Sequence, residues 1–248
     1  MNILPSIRII GLTLFLEKEK ILVIADSHIG YEEALNKQGI LIPRLQFKEI
    51  MKNLEPVFAE VKPETIVMLG DIKHEFGTIS RQEWQDTLNI LDYLISKSSK
   101  VILIKGNHDT ILGPLADKKG LAVREHFLAG DFLFLHGHKL MDENGTDFKK
   151  AKVIIIGHEH PAIGLRDGPR VEKYKCFLLG KYKGQGKGKI IGKAKKLIVM
   201  PSFNFVTEGT DVLQEKLLSP FIGNVYDFEA FVVGDKIYKF GKVSSLSR

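Results

Sequence analysis

One cysteine, Cys176, is all the thiol in the 248 residues. It cannot close an intramolecular bridge, and it rules out a structural zinc held by several thiolates, so the expected compartment is a reducing one, the cytoplasm. No stretch approaches the roughly 18 consecutive apolar residues of a membrane-spanning helix. The opening MNILPSIRIIGLTLFLEKEK has Pro5 near its start and Arg8 in its middle. It lacks the layout of a secretory signal and reads as a leading strand or hairpin arm. Missing too is any long Pro/Ser linker, so residues 1–248 are expected to form one domain around one core, near the upper size such a core serves. With 44% hydrophobic and 27% charged residues, the composition is that of a compact globular chain and excludes the disordered class.

Acidic residues are scarce in one place. After Glu172 the chain runs to Lys196 without one, while Lys173, Lys175, Lys181, Lys183, Lys187, Lys189, Lys193, Lys195 and Lys196 alternate with glycines. This Lys/Gly-rich segment, about 173–196, is expected as a hairpin whose tip is GKYKGQGKGK. It reads either as a lure for a polyanion or as a solvated edge hairpin blunted by lysine. The second reading weighs more, because no aromatic-rich stacking surface accompanies it.

What the chain does have is a recurring pattern. LVIADSH, IVMLGD, ILIKGNHD, FLFLHGH and VIIIGHEH are short apolar runs that each end on a metal-ligating side chain. Such runs read as buried strands, and their tips are expected along one edge of a sheet, where open α/β folds place their sites. Of the eight histidines only His126 lies away from these motifs. A single such histidine is more often a turn or interior residue, but one position repeated in five successive strands is not chance. Asp26, His28, Asp71, Asn107, His136, His158 and His160 make two carboxylates, one amide and four imidazoles. That set suits two first-row divalent ions.

Between the runs, Leu45, Ile50, Leu54, Val57, Phe58 and Val61 recur at helical spacing, with Pro56 expected to bend or split the helix. Ser80 and Glu83 form a capping box before an apolar stripe of Trp84, Leu88, Leu91 and Ile95. Strand and helix thus alternate from 21 to 105 as parallel βαβ units. Beyond about residue 120 strands dominate and end in a hairpin around Gly234 and Asp235. The expected fold is α/β: two packed β-sheets with helices outside, a layered sandwich.

In order, D-x-H (Asp26, His28), G-D-x-x-H (Gly70, Asp71, His74), G-N-H-D (Gly106 to Asp109), a strand-end histidine (His136) and G-H-x-H (Gly157 to His160) resemble the calcineurin-like metallophosphoesterases over roughly residues 21 to 161. The stretch ADSHIGYEEALNKQGILIP looks like the SbcD-related archaeal phosphoesterases and the metallophosphoesterases associated with DNA ligase. The resemblance implies that one ion takes Asp26, His28 and His160, that the other takes Asn107, His136 and His158, and that Asp71 bridges them. Mn²⁺ is placed first among the ions, with Fe²⁺ and Zn²⁺ open, since ligand softness does not separate them. Two ions about 3.5 to 4 Å apart acidify a bridging water and clamp both oxygens of an in-line displacement at phosphorus.

His108 is left free by that scheme and, by the resemblance, faces the scissile phosphate as general acid or charge stabiliser, with Asp109 orienting its imidazole. His74 and His138 carry no assigned role. Gly70, Gly106 and Gly157, each directly before a ligand, suit close backbone approach. The leading expectation is a metal-dependent phosphodiesterase acting on a small diester or a nucleic acid, with partners in DNA repair. The alternatives are an SbcD-like nuclease, a non-catalytic scaffold of the same fold, and a nucleic-acid binder without hydrolysis.

Overall fold

The computed structural model describes residues 1–74, 80–184 and 194–246. Residues 185–193, which include the second half of the expected GKYKGQGKGK tip, lie outside the described residues. Two mixed sheets pack face to face. The first runs in chain order through β1 Asn2–Leu4, β2 Ile7–Ile10, β3 Thr13–Leu16, β4 Ile21–Ile24, β5 Thr65–Leu69, β6 Lys100–Ile104 and β7 Val123–Arg124. Its leading strands are antiparallel, and β4 through β7 are parallel. The crossovers are α1 Tyr31–Lys37 and α2 Gln46–Glu60, then α3 Arg81–Lys97, then α4 Leu112–Lys118.

The second sheet holds β8 His126–Ala129, β9 Phe132–Leu135, β10 Val153–Ile156, β11 Pro161–Asp167, β12 Arg170–Lys181, β13 Lys196–Val199, β14 Thr210–Asp211, β15 Glu229–Val233 and β16 Ile237–Lys242. Its order is β14-β11-β12-β13-β10-β9-β8, with β15 against β12 and β16 against β15. The short α5 Thr146–Lys150 precedes β10. Strands β9, β10 and β13 are mutually parallel.

The apolar runs show no polar alternation because both faces of these strands are covered. Ile21, Val23, Val67, Leu69, Ile102 and Ile104 meet Phe134, Val153, Ile155, Phe177 and Ile198 in the layer between the sheets. The alternate residues Leu22, Ile24, Ile66, Met68 and Leu103 face α2, α3 and α4. Ile154 and Ile156 face the far side of the second sheet with Phe148 of α5.

Three expectations change. α2 is neither split nor ended at Pro56. Pro56 and Lys52 are both exposed, so the Lys52 carbonyl that loses its helical amide faces water instead of an apolar layer. The buried stripe of α3 runs through Leu88, Ile90, Leu91 and Leu94, leaving Ile95 38% exposed. Ser80 Oγ does accept from Glu83 N at 3.0 Å, but Glu83 Oε1 takes the His74 amide at 3.1 Å, tying the cap to a site loop. Finally, the five strand tips belong to two sheets, β4, β5 and β6 in one and β9 and β10 in the other. They converge because the two edges face each other across the shared core.

Candidate metal centre

Every expected ligand stands just past the C-terminal end of a strand: Asp26 and His28 after β4, Asp71 after β5, Asn107 after β6, His136 after β9, His158 and His160 after β10. The backbone there is unusual. Seven non-glycine residues among those described have positive φ, and five of them are Asp26 (50°), His28 (43°), Asp71 (41°), His158 (64°) and His160 (49°). A side chain held in this left-handed region costs of order 1–3 kcal/mol and persists only where the surroundings over-determine it. Here the pairing of β4 with β5 extends into the turns: Asp26 N donates to Gly70 O at 3.2 Å, His28 N to Asp71 O at 2.9 Å and Ile29 N to Ile72 O at 2.9 Å.

The three glycines act by close approach. A Cβ on Gly70, with φ +82°, would collide with the His136 ring, one on Gly106 with the Asp71 carboxylate and amide, and one on Gly157 with the Asp26 carboxylate. Substitution at any of them would push a ligand candidate out of place.

The side chains form two groups whose ligand atoms lie within 4.8 Å of one another: Asp26, His28 and His160, and Asp71, His136 and His158. Asn107 Oδ1 is 3.0 Å from His136 Nε2, so it joins the second group. Asp71 Oδ2 lies 3.7 Å from His28 Nε2 and 3.3 Å from His136 Nε2, between the two. Ring nitrogens confront each other, His28 Nε2 with His160 Nε2 at 3.3 Å and His158 Nδ1 with His136 Nε2 at 3.2 Å. Such pairs make sense around a cation that both can ligate.

Asp26 is fully buried and its Oδ1 has no hydrogen-bond donor; the ring nitrogens of His136 and His160 stand 3.3 and 3.6 Å away. An orphaned buried carboxylate oxygen among imidazoles fits a divalent ion. Charge fits as well. Burial, then the neighbouring His160, holds His28 well below its ordinary pKa, and burial, then His136, lowers His158 to about 4. Both rings are therefore neutral donors. Burial also works against charge on His136, but its hydrogen bond with Asp71 and the Asp26 and Asp71 charges outweigh it and raise the ring to about 9. Asp71 in turn lies below the usual carboxylate range: burial opposes this, and the hydrogen bond and charge of His136 prevail.

His108 sits at the rim. Its amide donates to Asp71 Oδ1 at 2.8 Å, and its ring Nδ1 meets His74 O at 2.6 Å. A carbonyl only accepts, so Nδ1 carries the proton and Nε2, 4.0 Å from Asp71 Oδ2, faces the centre. Asp109 directs its carboxylate at backbone amides. Its Oδ2 accepts from Gly106 N at 2.9 Å and its Oδ1 from Ile72 N and Lys73 N at 3.0 and 3.3 Å. Asp109 thus holds the two ligand turns together, and the His74 carbonyl takes the orienting role. Burial raises the Asp109 carboxyl to about 6.

His74 enters the site. Its Nδ1 is 3.4 Å from His28 Nδ1, it groups with His28 and His108, and its ring lies between those of Tyr31 and His108, at 4.2 and 5.2 Å. His138 stands behind, its ring centre 5.2 Å from that of His136.

Several supporting residues carry no metal-type signal in the sequence. Lys73, fully buried, donates to His108 O at 2.7 Å. Glu159, also fully buried, accepts from Leu218 N and Ser219 N at 2.8 Å. Lys175, lowered to about 7 by burial, reaches Ser202 and Asn204. The run LIVMPSFN has the same apolar-then-polar form as the five strand motifs, and that was the available clue. The base of the lysine hairpin lies elsewhere: Lys181 pairs with Lys196, and Lys196 with Val153, where β10 begins. That is the sheet edge opposite His158, so the hairpin base does not line the site.

No curated protein matches the chain. A family model described as calcineurin-like phosphoesterase matches residues 19–163. Among solved structures, the nuclease MPE of Pseudomonas putida is similar with a TM-score of 0.61 at 20% identity, over 92% of this chain and 91% of that one. Yfce, a phosphoesterase from E. coli, is similar with a TM-score of 0.40 at 15% identity, over 90% and 97%. Vacuolar protein sorting 29 from Cryptosporidium parvum gives 0.40 at 12%, also over 90% and 97%. The first of these likenesses speaks to the fold alone.

Proposed function

The chain belongs to the calcineurin-like phosphoesterase family, and from that premise we propose that it is a divalent-metal-dependent phosphodiesterase with a two-ion centre. The observation that carries the reading is the convergence of two ligand groups around Asp71, with an orphaned Asp26 oxygen in one of them. Asp26, His28 and His160 would hold one ion and Asn107, His136 and His158 the other, with Asp71 between the two groups. When bound, such ions supply Lewis acidity toward phosphoryl oxygens and lower the pKa of water. Mn²⁺ is our first choice, ahead of Fe²⁺ and Zn²⁺.

The chain's own groups do the rest. His108, its Nδ1–H fixed on the His74 carbonyl, presents Nε2 to the substrate and, once protonated there, donates to the leaving oxygen or steadies the charge on phosphorus. Asp109 keeps the turns of Asp71 and Asn107 in register through three amides. A complete donor set with His108 in place argues against a scaffold role.

A nuclease activity is the second reading. It is supported by the likeness in fold to a nuclease that is matched over 91% of its length. The motif around Asp26 supports a place near the SbcD-related and ligase-associated phosphoesterases, with DNA-repair partners. The single Cys176 is buried and free, and among the described residues no helix is long and apolar enough to cross a membrane. We place the protein in the cytoplasm, on its single cysteine alone.

The deciding experiment is a Mn²⁺-supplemented screen of bis-aryl phosphodiesters, cyclic nucleotides, single- and double-stranded DNA, and monoesters, run beside Asp71→Asn and His108→Ala. Diester cleavage lost in both variants supports the reading. Activity that survives in Asp71→Asn contradicts it.

A further inference from the structure

Lys175 lies on β12, opposite Ala162 of β11 and so beside the loop of His158 and His160. Its ammonium is directed at one short segment: Nζ donates to Ser202 O at 3.0 Å, to Ser202 Oγ at 2.8 Å and to Asn204 O. Ser202, Phe203 and Asn204 are all buried. The segment in turn grips the first ligand turn from the side opposite β5. Phe203 N donates to Ala25 O at 2.7 Å and Asn204 Nδ2 to Ser27 O at 3.3 Å, the carbonyls on either side of Asp26. Asn204 Oδ1 is occupied by Val206 N and Thr207 N at 2.7 and 3.2 Å, which fixes the amide so that its Nδ2 faces Ser27. Asp26 and His28 hold positive φ, a conformation that relaxes unless both sides of the turn are held.

We propose that Lys175 is a positioning residue for the ion site of Asp26, His28 and His160. It gathers residues 202–204 into a knot that holds the Ala25 and Ser27 carbonyls and keeps Asp26 turned into the cleft. Buried positive charge usually requires a paired carboxylate or several oxygen acceptors; here three oxygens of a single segment accept from it, and the Asp26 charge favours the ammonium as well. The ion site around His136 and His158 has no contact of this kind with Lys175. Asn107, His136 and His158 follow β6, β9 and β10, and none of them bonds to Lys175, although the His158 amide does donate to Asp26 Oδ2 at 3.0 Å. The inference therefore separates the two ion sites, and it rests on the two-ion reading for its metal readout only.

The test uses the full chain with Lys175→Met, which keeps the stem and removes the ammonium. Two quantities are measured: hydrogen exchange of the Phe203 amide without ions, and Mn²⁺ binding by calorimetry. The expected result is faster Phe203 exchange by about tenfold or more. In the titration, one of the two Mn²⁺ sites weakens about 10–100-fold while the other stays within about threefold. Unchanged Phe203 exchange overturns the proposal, and so does equal weakening of both sites. If Lys175→Met does not fold, Asn204→Ala decides, because it leaves the residue-204 carbonyl for Lys175 while removing the bond to Ser27 O, together with the acceptor of the Val206 and Thr207 amides. Loss at one site sustains the inference, and no loss overturns it. A parent chain that binds no Mn²⁺ would sink the metal reading, while Phe203 exchange would still decide the role of Lys175.

Discussion

Residues up to 163 and residues from 164 onward build the same cleft by different means. The first stretch supplies all seven expected ligands and His108, each just past the end of a strand. The second supplies none of them, yet it takes hold of the first and the last ligand turns. Phe203 and Asn204 bind either side of Asp26, Thr210 N donates to His160 O at 2.9 Å, and Leu218 and Ser219 hold Glu159 between His158 and His160. Donor chemistry depends on side-chain type, whereas support here draws largely on backbone amides, with the Asn204 side chain added. The difference teaches that the reactive half of such a site can be complete in composition and still owe its geometry to the other half.

The comparison is broken most forcefully from the first stretch. Asp71→Asn should lower turnover by more than about 100-fold, because it removes the oxygen that lies between the two groups; a variant that retains most activity would place the chemistry elsewhere. His108→Ala should cut kcat by about 10²–10⁴-fold and leave Mn²⁺ content unchanged in metal analysis. Parallel loss of metal and rate would make His108 a structural residue.

Ion removal sharpens the contrast through pH. Without ions, the charges of Asp71 and Asp26 hold His136 at about 9, above its ordinary 6.5. A raised folded-state pKa stabilises fully below pH 6.5, and that contribution is lost as pH climbs through 9. Urea unfolding of the chelated chain should therefore show the parent's stability relative to His136→Gln falling from pH 6.5 to 9, with the opposite contribution of Lys175, lowered to about 7, common to both slopes. An equal slope in both would show that Asp71 and His136 do not share the proton. Below pH 4 the trend has the opposite sense, because the lowered pKa of Asp71 removes stability on acidification.

From the second stretch effects should be smaller. Glu159→Gln keeps an oxygen for the Leu218 and Ser219 amides but loses the charge, and is expected to cost about 1–2 kcal/mol in thermal or urea unfolding, with turnover reduced less than in His108→Ala. A larger kinetic loss would mean that Glu159 touches the chemistry.

Much of this was legible in the chain. The five strands, the parallel βαβ half and the strand-rich second half follow from apolar runs covered on both faces, and the ligands follow from the residue types at their ends. The division of the tips between two sheets was not legible, because a buried strand looks the same in either sheet. Pro56 misled because a proline on an exposed helical face gives up a hydrogen bond that water can replace. Asp109 stands next to His108 in sequence, yet its carboxylate turns back to three amides, an orientation set by the turn and not by adjacency. Lys175, Ser202 and Asn204 escaped notice because they bond to one another and to the Ser27 carbonyl, contacts that only the polar end of LIVMPSFN foreshadows.

The central claim is that the cleft holds a pair of divalent ions. Crystals grown with Mn²⁺ and measured for anomalous scattering test it directly. The account predicts two peaks, one among Asp26, His28 and His160 and one among Asn107, His136 and His158, with Asp71 between them. A map with no peak there, or with ions bound only outside these residues, would contradict it.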